Sequence, residues 1–185
     1  MIENELYLII PALEHKQDAM EYRQEWIDKE PGERIHGSWG LQNTKYDDYE
    51  VWLNDINILK NGENPEWVIS TTYFAVCDNK IVGNIQIRHD LNDYLLKNGG
   101  HIGYGVRPSE RRKGYATKML SLALDECKKL GIKRALITCD KDNIGSVRTI
   151  QKNGGVLENE IIDDDDGEIM QRYWIDFCAI SKTPQ

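Results

Sequence analysis

Between His101 and Ala116 the chain reads HIGYGVRPSERRKGYA. A short apolar strand, HIGYGV, stops at Arg107-Pro108, and a basic turn containing Gly114 follows. Apolar spacing then predicts a helix from about Thr117 to Leu130. A strand that enters a helix through such a turn aims several backbone N–H groups, and the positive end of the helix dipole, at one spot. That spot suits an anion, and a phosphate in particular. Gly114 has no Cβ to keep a ligand from the backbone. Arg111, Arg112 and Lys113 add charge-assisted contacts at the rim. The rest of the helix is structural: Ala116, Met119, Leu120, Ala123, Cys127 and Leu130 repeat at core-facing intervals, and Gly131 ends it.

The turn lacks the Gly-x-x-x-x-Gly-Lys-Ser/Thr spacing of a Walker loop. It also lacks Gly-x-Gly-x-x-Gly with a distant acid. Arg111-x-x-Gly114-x-Ala116, after a strand and opening a helix, instead resembles the acetyl-coenzyme A signature of the GNAT N-acetyltransferases, Gln/Arg-x-x-Gly-x-Gly/Ala. Downstream, Arg134–Cys139 reads as a strand, and Asp142–Ser146 opens a helix ending at Lys152–Gly155, the order of the next two elements in that family. The resemblance, to a bacterial branch of the superfamily, covers roughly Thr71 to Ile175; the preceding segment matches only in outline.

The chain has 185 residues, enough for one domain with a sizeable core. Charged residues make up 29% against 40% apolar, which is globular usage rather than that of a disordered chain. No apolar run is long enough for a membrane span. MIENELYLII carries acids where a signal peptide needs a basic start, so it reads as a strand. Cys77, Cys127, Cys139 and Cys178 form no CxxC. Neither a zinc site nor a disulfide framework is expected, and a cytoplasmic setting is. A net charge of −8 speaks against nucleic-acid binding and suits a cationic amine.

Along the chain, Glu5–Ile10 reads as a strand and Leu13–Lys29 as an amphipathic helix stopped by Pro31-Gly32. Glu33–Leu41 is a glycine-bearing loop, and Tyr46–Leu59 a second helix capped by Asn61-Gly62. Thr71–Cys77 and Ile81–Arg88 are strands joined by a hairpin turn, and His89–Gly100 is a loop. After the signature segment come the fifth strand, the short helix and a terminal hairpin, Val156–Ile162 and Glu168–Phe177. No repeat or linker interrupts residues 1–185.

The resemblance implies an α/β (α+β) GNAT fold. Its mixed, mostly antiparallel central sheet has about seven strands, flanked by about four helices. Strands four and five, His101–Val106 and Arg134–Cys139, run parallel and splay apart. The pantetheine arm of the cofactor lies in that gap, on an open strand edge that accepts it as a pseudo-strand.

The resemblance also implies acetyl-CoA as acetyl donor, no metal, and a primary amine of a small molecule or peptide as acceptor. Its cofactor positions fall on Val106, Arg111, Arg112, Lys113, Gly114, Tyr115, Ala116 and Thr117, with Asn143 and Ser146 on the next helix. From the residues alone Asn143 is an N-cap, which is compatible with facing pantetheine. Many family members carry Tyr seven residues after this Asn, to protonate the leaving thiolate; this chain has Ile150. Tyr104, Tyr115 and Tyr173 are the candidate donors, with Tyr104 on the signature strand itself. The oxyanion would meet a backbone N–H of Val106 or its neighbour. His101 and His89 are the candidate bases, with Asp90 and Asp93 nearby, though each histidine also has a purely structural reading. A non-catalytic acyl-CoA sensor is the alternative that Ile150 keeps open; a nucleotide-binding protein fits the loop spacing less well.

Asp163–Asp166 with Gly167 fails the calcium-loop frame at Ile162 and Tyr173 and reads as a solvated hairpin tip. Cys139 has no motif linking it to a base. Trp39, Trp67 and Tyr94 are candidates to wall the acceptor pocket, and a homodimer is expected from the general frequency of such assemblies.

Overall fold

The computed structural model describes residues 5–163 and 167–177. Strand β1 (Tyr7–Ile9) leads through a single 3-10 turn at Leu13–His15 into helix α1 (Lys16–Lys29), and helix α2 (Tyr49–Asn61) follows the glycine-bearing loop. Strands β2 (Ser70–Cys77), β3 (Lys80–Arg88) and β4 (Ile102–Val106) precede helix α3 (Tyr115–Lys129). Strand β5 (Arg134–Asp140), helix α4 (Ile144–Lys152), and strands β6 (Val156–Ile162) and β7 (Ile169–Asp176) complete the order. Local chemistry sets several of these ends. Asp48 caps α2 by accepting from the Glu50 N–H, and Gly62 closes it in the left-handed conformation. Asp78 and Asn79 both take positive φ, which suits the twist of the β2–β3 hairpin. The loop before β4 contains a π turn at Leu95–Gly99. The acidic hairpin tip falls largely on residues 164–166, outside the described residues, as does Cys178.

Every ladder is antiparallel. The strands form a four-stranded sheet, β1-β2-β3-β4, and a three-stranded sheet, β5-β7-β6. The expected continuous sheet thus divides between its fourth and fifth strands. The two strands meet only near their starts, where Leu136 bonds to His101. His101 lies opposite Leu136 and Tyr104 beside Cys139, so the strands advance in parallel step.

The sheet is covered on both faces. Helix α3 seals one face through Met119, Leu120, Ala123 and Cys127, packed on Ile85, Ile87, Ile102 and Ile137. Helices α1 and α2 seal the other, where Tyr22, Trp26 and Trp52 pack on Phe74, Val76 and Ile81. These two layers hold β4 between them and fix what each of its faces meets.

Arg107, the residue after β4, ties the strand to α1. Its guanidinium donates to Glu25 at 2.7 Å and to Asp18 at 3.1 Å, with its side chain only 6% exposed. Burial alone would raise the Glu25 pKa, but hydrogen bonds from Arg107 and Ser109 bring it down to about 2. A carboxyl whose folded pKa is depressed stabilises the fold above its unfolded value near 4.3, and that contribution disappears as pH falls through the folded value. Wild-type stability should therefore decline between about pH 5 and pH 2, and Glu25→Gln should flatten the decline. Urea melts across that range check this; equal slopes in the two proteins would count against the assignment.

Candidate active site

Helix α3 starts without a side-chain cap. Arg112 and Gly114 take positive φ, 66° and 85°, and Gly114 is the N-cap. The backbone N–H groups of residues 112–117 make no hydrogen bond among the described residues. A Cβ built on Gly114 would meet nothing within 4 Å, so these donors face open space. The rim differs from the expected trio of free cations. Arg111 donates to Glu30 at 2.7 Å and lies over the Trp26 ring, and Lys113 donates to Glu110 at 2.7 Å. Acids of the turn and of the end of α1 compete for them. Arg112 has no ion pair among the described residues.

The open strand edge adjoins this turn. Arg107 N–H donates to Val82 O at 2.8 Å, so by strand alternation the N–H groups of Val106, Tyr104 and Ile102 point the opposite way, toward β5. Among the described residues, no ladder occupies that edge. At its far end His101 N–H donates to Leu136 O at 2.7 Å, and Leu136 N–H donates back to His101 Nδ1 at 2.9 Å. The gap is pinned there and opens toward Val106. Inside it, the Tyr104 hydroxyl is buried without a hydrogen bond. Ser146 and Thr149 of α4 stand close enough to influence it, but neither completes a bond. Burial pushes its pKa up to about 12, which keeps the proton on. Asn143 caps α4 as expected, its Oδ1 accepting from Ser146 N–H at 3.1 Å.

The other face of β4 presents Gly103 and Gly105 to the loop between α1 and α2. A Cβ on Gly37 would fall 2.1 Å from Gly103 O, so only glycine allows this approach. Asn84 holds the loop by donating to His36 O at 2.8 Å, and Tyr22 donates its hydroxyl to the Asn84 carbonyl. Trp52 Nε1 donates to Ser38 O at 2.7 Å. His36 is exposed to solvent and lies under the influence of Arg34, Asp140, Glu33 and Arg88. Desolvation first, and Arg34 second, push its pKa below the ordinary histidine value.

The two histidines singled out from sequence lie elsewhere. His101 and His89 line a shallow recess with residues 130–134 and Trp174, at the pinned end of the gap. At about 3.3 Å per strand residue, Val106 is about 16 Å further along the chain than His101. With Nδ1 accepting from Leu136, a neutral His101 carries its proton on Nε2 and has no free lone pair. Burial and Arg88 push its pKa down to about 4. His89 Nε2 is engaged with Thr71 Oγ1 at 2.9 Å. Asp90 lies in the same recess as His101, and Asp93 in another with Lys97 and Arg172. Two of the tyrosines also point away: Tyr115 donates to Cys77 Sγ at 3.6 Å and Tyr173 to Gln171 at 2.6 Å. Ile150 is fully buried core. Trp39 and Trp67 pack edge to face against each other, while Tyr94 lies near Arg88.

Comparison with known proteins decides the family. Residues 8–156 match the family described as "Acetyltransferase (GNAT) domain". The chain belongs to the GNAT acetyltransferases. An uncharacterized N-acetyltransferase of Bacillus subtilis (strain 168), YjdG, is 28% identical over 150 residues, covering 77% of this chain and 82% of that protein. Among solved structures, the microcin C7 self-immunity acetyltransferase MccE, in complex with acetyl-CoA and AMP, superposes with TM-score 0.68 at 22% identity over 93% and 92% of the two chains. The ribosomal L7/L12 α-N-protein acetyltransferase RimL, in complex with coenzyme A, gives 0.69 at 17% identity over 95% and 96%.

This GNAT acetyltransferase is an acetyl-CoA-dependent N-acetyltransferase. Its residues fit that donor. The uncapped turn has N–H groups free for a pyrophosphate, the β4 edge has hydrogen bonds free for amides, and the Tyr104 hydroxyl, near Ser146 and Thr149 of α4, is without a partner among the described residues. Among the described residues, no cluster could hold a metal ion, and no helix is long and apolar enough to cross a membrane. His36 and Arg88 escaped the sequence reading. Glycines 37 and 40, close to the histidine, were the available signal, but the contact with Gly105 lies far along the chain.

Proposed function

We propose that this enzyme acetylates a primary amine presented from the α1–α2 loop, with His36 as base and Tyr104 as acid. The supporting observation is the strand β4 itself: one edge is open beside an uncapped helix start, and one face is held against the His36 loop. In this reading residues 112–117 and Arg112 hold the pyrophosphate, and the free edge of Ile102, Tyr104 and Val106 aligns the pantetheine arm, with Asn143 and Ser146 across the gap. Acetyl-CoA supplies a thioester-activated acetyl group. Neutral His36 takes the amine proton as the nitrogen attacks. The Val106 N–H, or that of Tyr104 on the same edge, donates to the oxygen that gains charge. The Tyr104 hydroxyl gives its proton to the departing sulfur, the task that a tyrosine at position 150 performs elsewhere in the family. MccE and RimL support small-molecule and peptide amines, respectively, as acceptor classes. We further read residues 1–185 as one catalytic domain, working in the cytoplasm as a monomer or homodimer, without nucleic-acid or membrane partners.

Calorimetric titration with acetyl-CoA, CoA and ATP, followed by thiol release over an amine panel, tests the reading. Acetyl-CoA and CoA should bind and ATP should not; acetyl-CoA binding with no amine-dependent thiol release would sink it. Tyr104→Phe should lower kcat by about 10²-fold, the lower end of general-acid effects, with little change in the KM for acetyl-CoA. Full turnover in that variant would return the proton donor to solvent.

A further inference from the structure

Among the described residues, the arginines that are buried or half-buried are paired with acids, with one exception. Arg107 has Glu25 and Asp18, Arg23 has Asp47, and Arg172 has Glu158. Arg88, at the end of β3, has no carboxylate among the described residues. Its Nη1 donates to Gly99 O at 2.7 Å and Gly100 O at 3.1 Å, and it makes no other hydrogen bond among the described residues. Its Nη2 lies 3.5 Å from where a Cβ of Gly103 would be, on the side-chain-free face of β4. The charged or titratable neighbours that act on it are Arg34, which repels it, and Tyr94. Burial and Arg34 together push the Arg88 pKa down to about 10, the mark of a cation lacking a counter-charge. Arg34 is exposed and makes no hydrogen bond or ion pair among the described residues. Two guanidinium groups without a carboxylate partner that act on each other, one of them half-buried, are unfavourable unless an anion joins them. The nearby carboxylates, Glu33 and Asp140, act on His36 instead.

We propose that Arg88 and Arg34 form an anion subsite for the acceptor, so that the amine acetylated by this enzyme carries a carboxylate or phosphate a few bonds away. This rests on the assignment of the His36 side of β4 as the acceptor side. The guanidinium fork suits either group, since both offer two oxygens in the plane of its N–H donors. With Gly103 lacking a side chain, the Gly37 backbone and Arg88 Nη2 both come up to this face of β4, and the loop that carries Arg34 also carries His36. An acceptor anchored by its anion at the arginines thus brings its amine to the base.

The test uses the full chain saturated with CoA, so that the phosphate turn is already filled. Inorganic phosphate is titrated in while the His36 ring is followed by NMR over pH. An anion between Arg34 and Arg88 offsets the repulsion that they exert on His36, so its pKa should rise. Arg34→Gln, which has no hydrogen bond to lose, should raise the starting pKa and abolish the phosphate response. Arg88→Gln should also abolish the response, with Arg34→Gln as the safeguard if loss of the Gly99 and Gly100 bonds unfolds it. Turnover of matched pairs, serine against serinamide and phosphoethanolamine against ethanolamine, should favour the anionic member at least tenfold in kcat/KM; the larger ratio identifies carboxylate or phosphate. Arg34→Gln should collapse that ratio. A His36 ring that phosphate leaves unmoved, or equal turnover within both pairs, overturns the subsite. If phosphate moves His36 but no amine is acetylated, the subsite stands and the acetyl-transfer reading of this face fails.

Discussion

His36→Gln lowers kcat by about 10²–10⁴-fold, the scale of a lost general base. The KM for acetyl-CoA stays close to wild type, because the phosphate turn does not involve this loop. The pH profile separates a base from a prop. Desolvation and Arg34 depress the His36 pKa, so the ring is neutral at pH 7 and the wild-type rate falls only on the acid side of the ordinary histidine range. That acidic limb disappears in the glutamine variant. His101→Gln is the informative comparison: it removes the bond to Leu136 and should cost stability while the limb persists. Retention of full turnover and of the limb in His36→Gln would assign proton removal to water or to Asp140.

Gly114→Val weakens acetyl-CoA binding by at least tenfold while leaving a folded protein. No atom lies within 4 Å of the Cβ position, so the apo fold meets no clash. The cost to the fold is conformational: φ of 85° is unfavourable for an L-residue by about 1–2 kcal/mol, and a β-branched residue adopts it least readily. The cost to binding is larger, because the branch projects from a segment whose N–H groups face the ligand. Gly114→Ala should fall between. Calorimetry on the folded variants checks this, and affinity equal to wild type for Gly114→Val would remove the phosphate from this turn.

The order of elements could be read from the chain because it is written locally. Turn residues, caps and apolar periods announce β2 to α4 almost in full, and Gly62 and Asn143 cap helices where their chemistry predicts. The uncapped turn before α3 was legible for the same reason, being one contiguous run of residues. The proposed acceptor side was not. His36 and Arg88 are about fifty residues apart and are brought together only because Gly37 can touch Gly103. No local pattern encodes that contact. His101 stood as a candidate base with a structural reading beside it, and the contact that claims its lone pair, from the Leu136 N–H, joins two strands thirty-five residues apart. The rim charges misled, since Glu30 and Glu110 were not counted against Arg111 and Lys113.

The pin between His101 and Leu136 sets the angle between β4 and β5, with its fulcrum at one end. Over the strand's length of about 16 Å, a tilt of only about 4° at the fulcrum moves the Val106 end by about 1 Å. Displacements of that size at reacting groups can cost about 10²-fold in rate. Gly100 sits beside the fulcrum, with φ of 63° and a Cβ position 2.7 Å from Leu136 O. A single added methyl group there would reach the chemistry as a rotation, with no contact to either reactant.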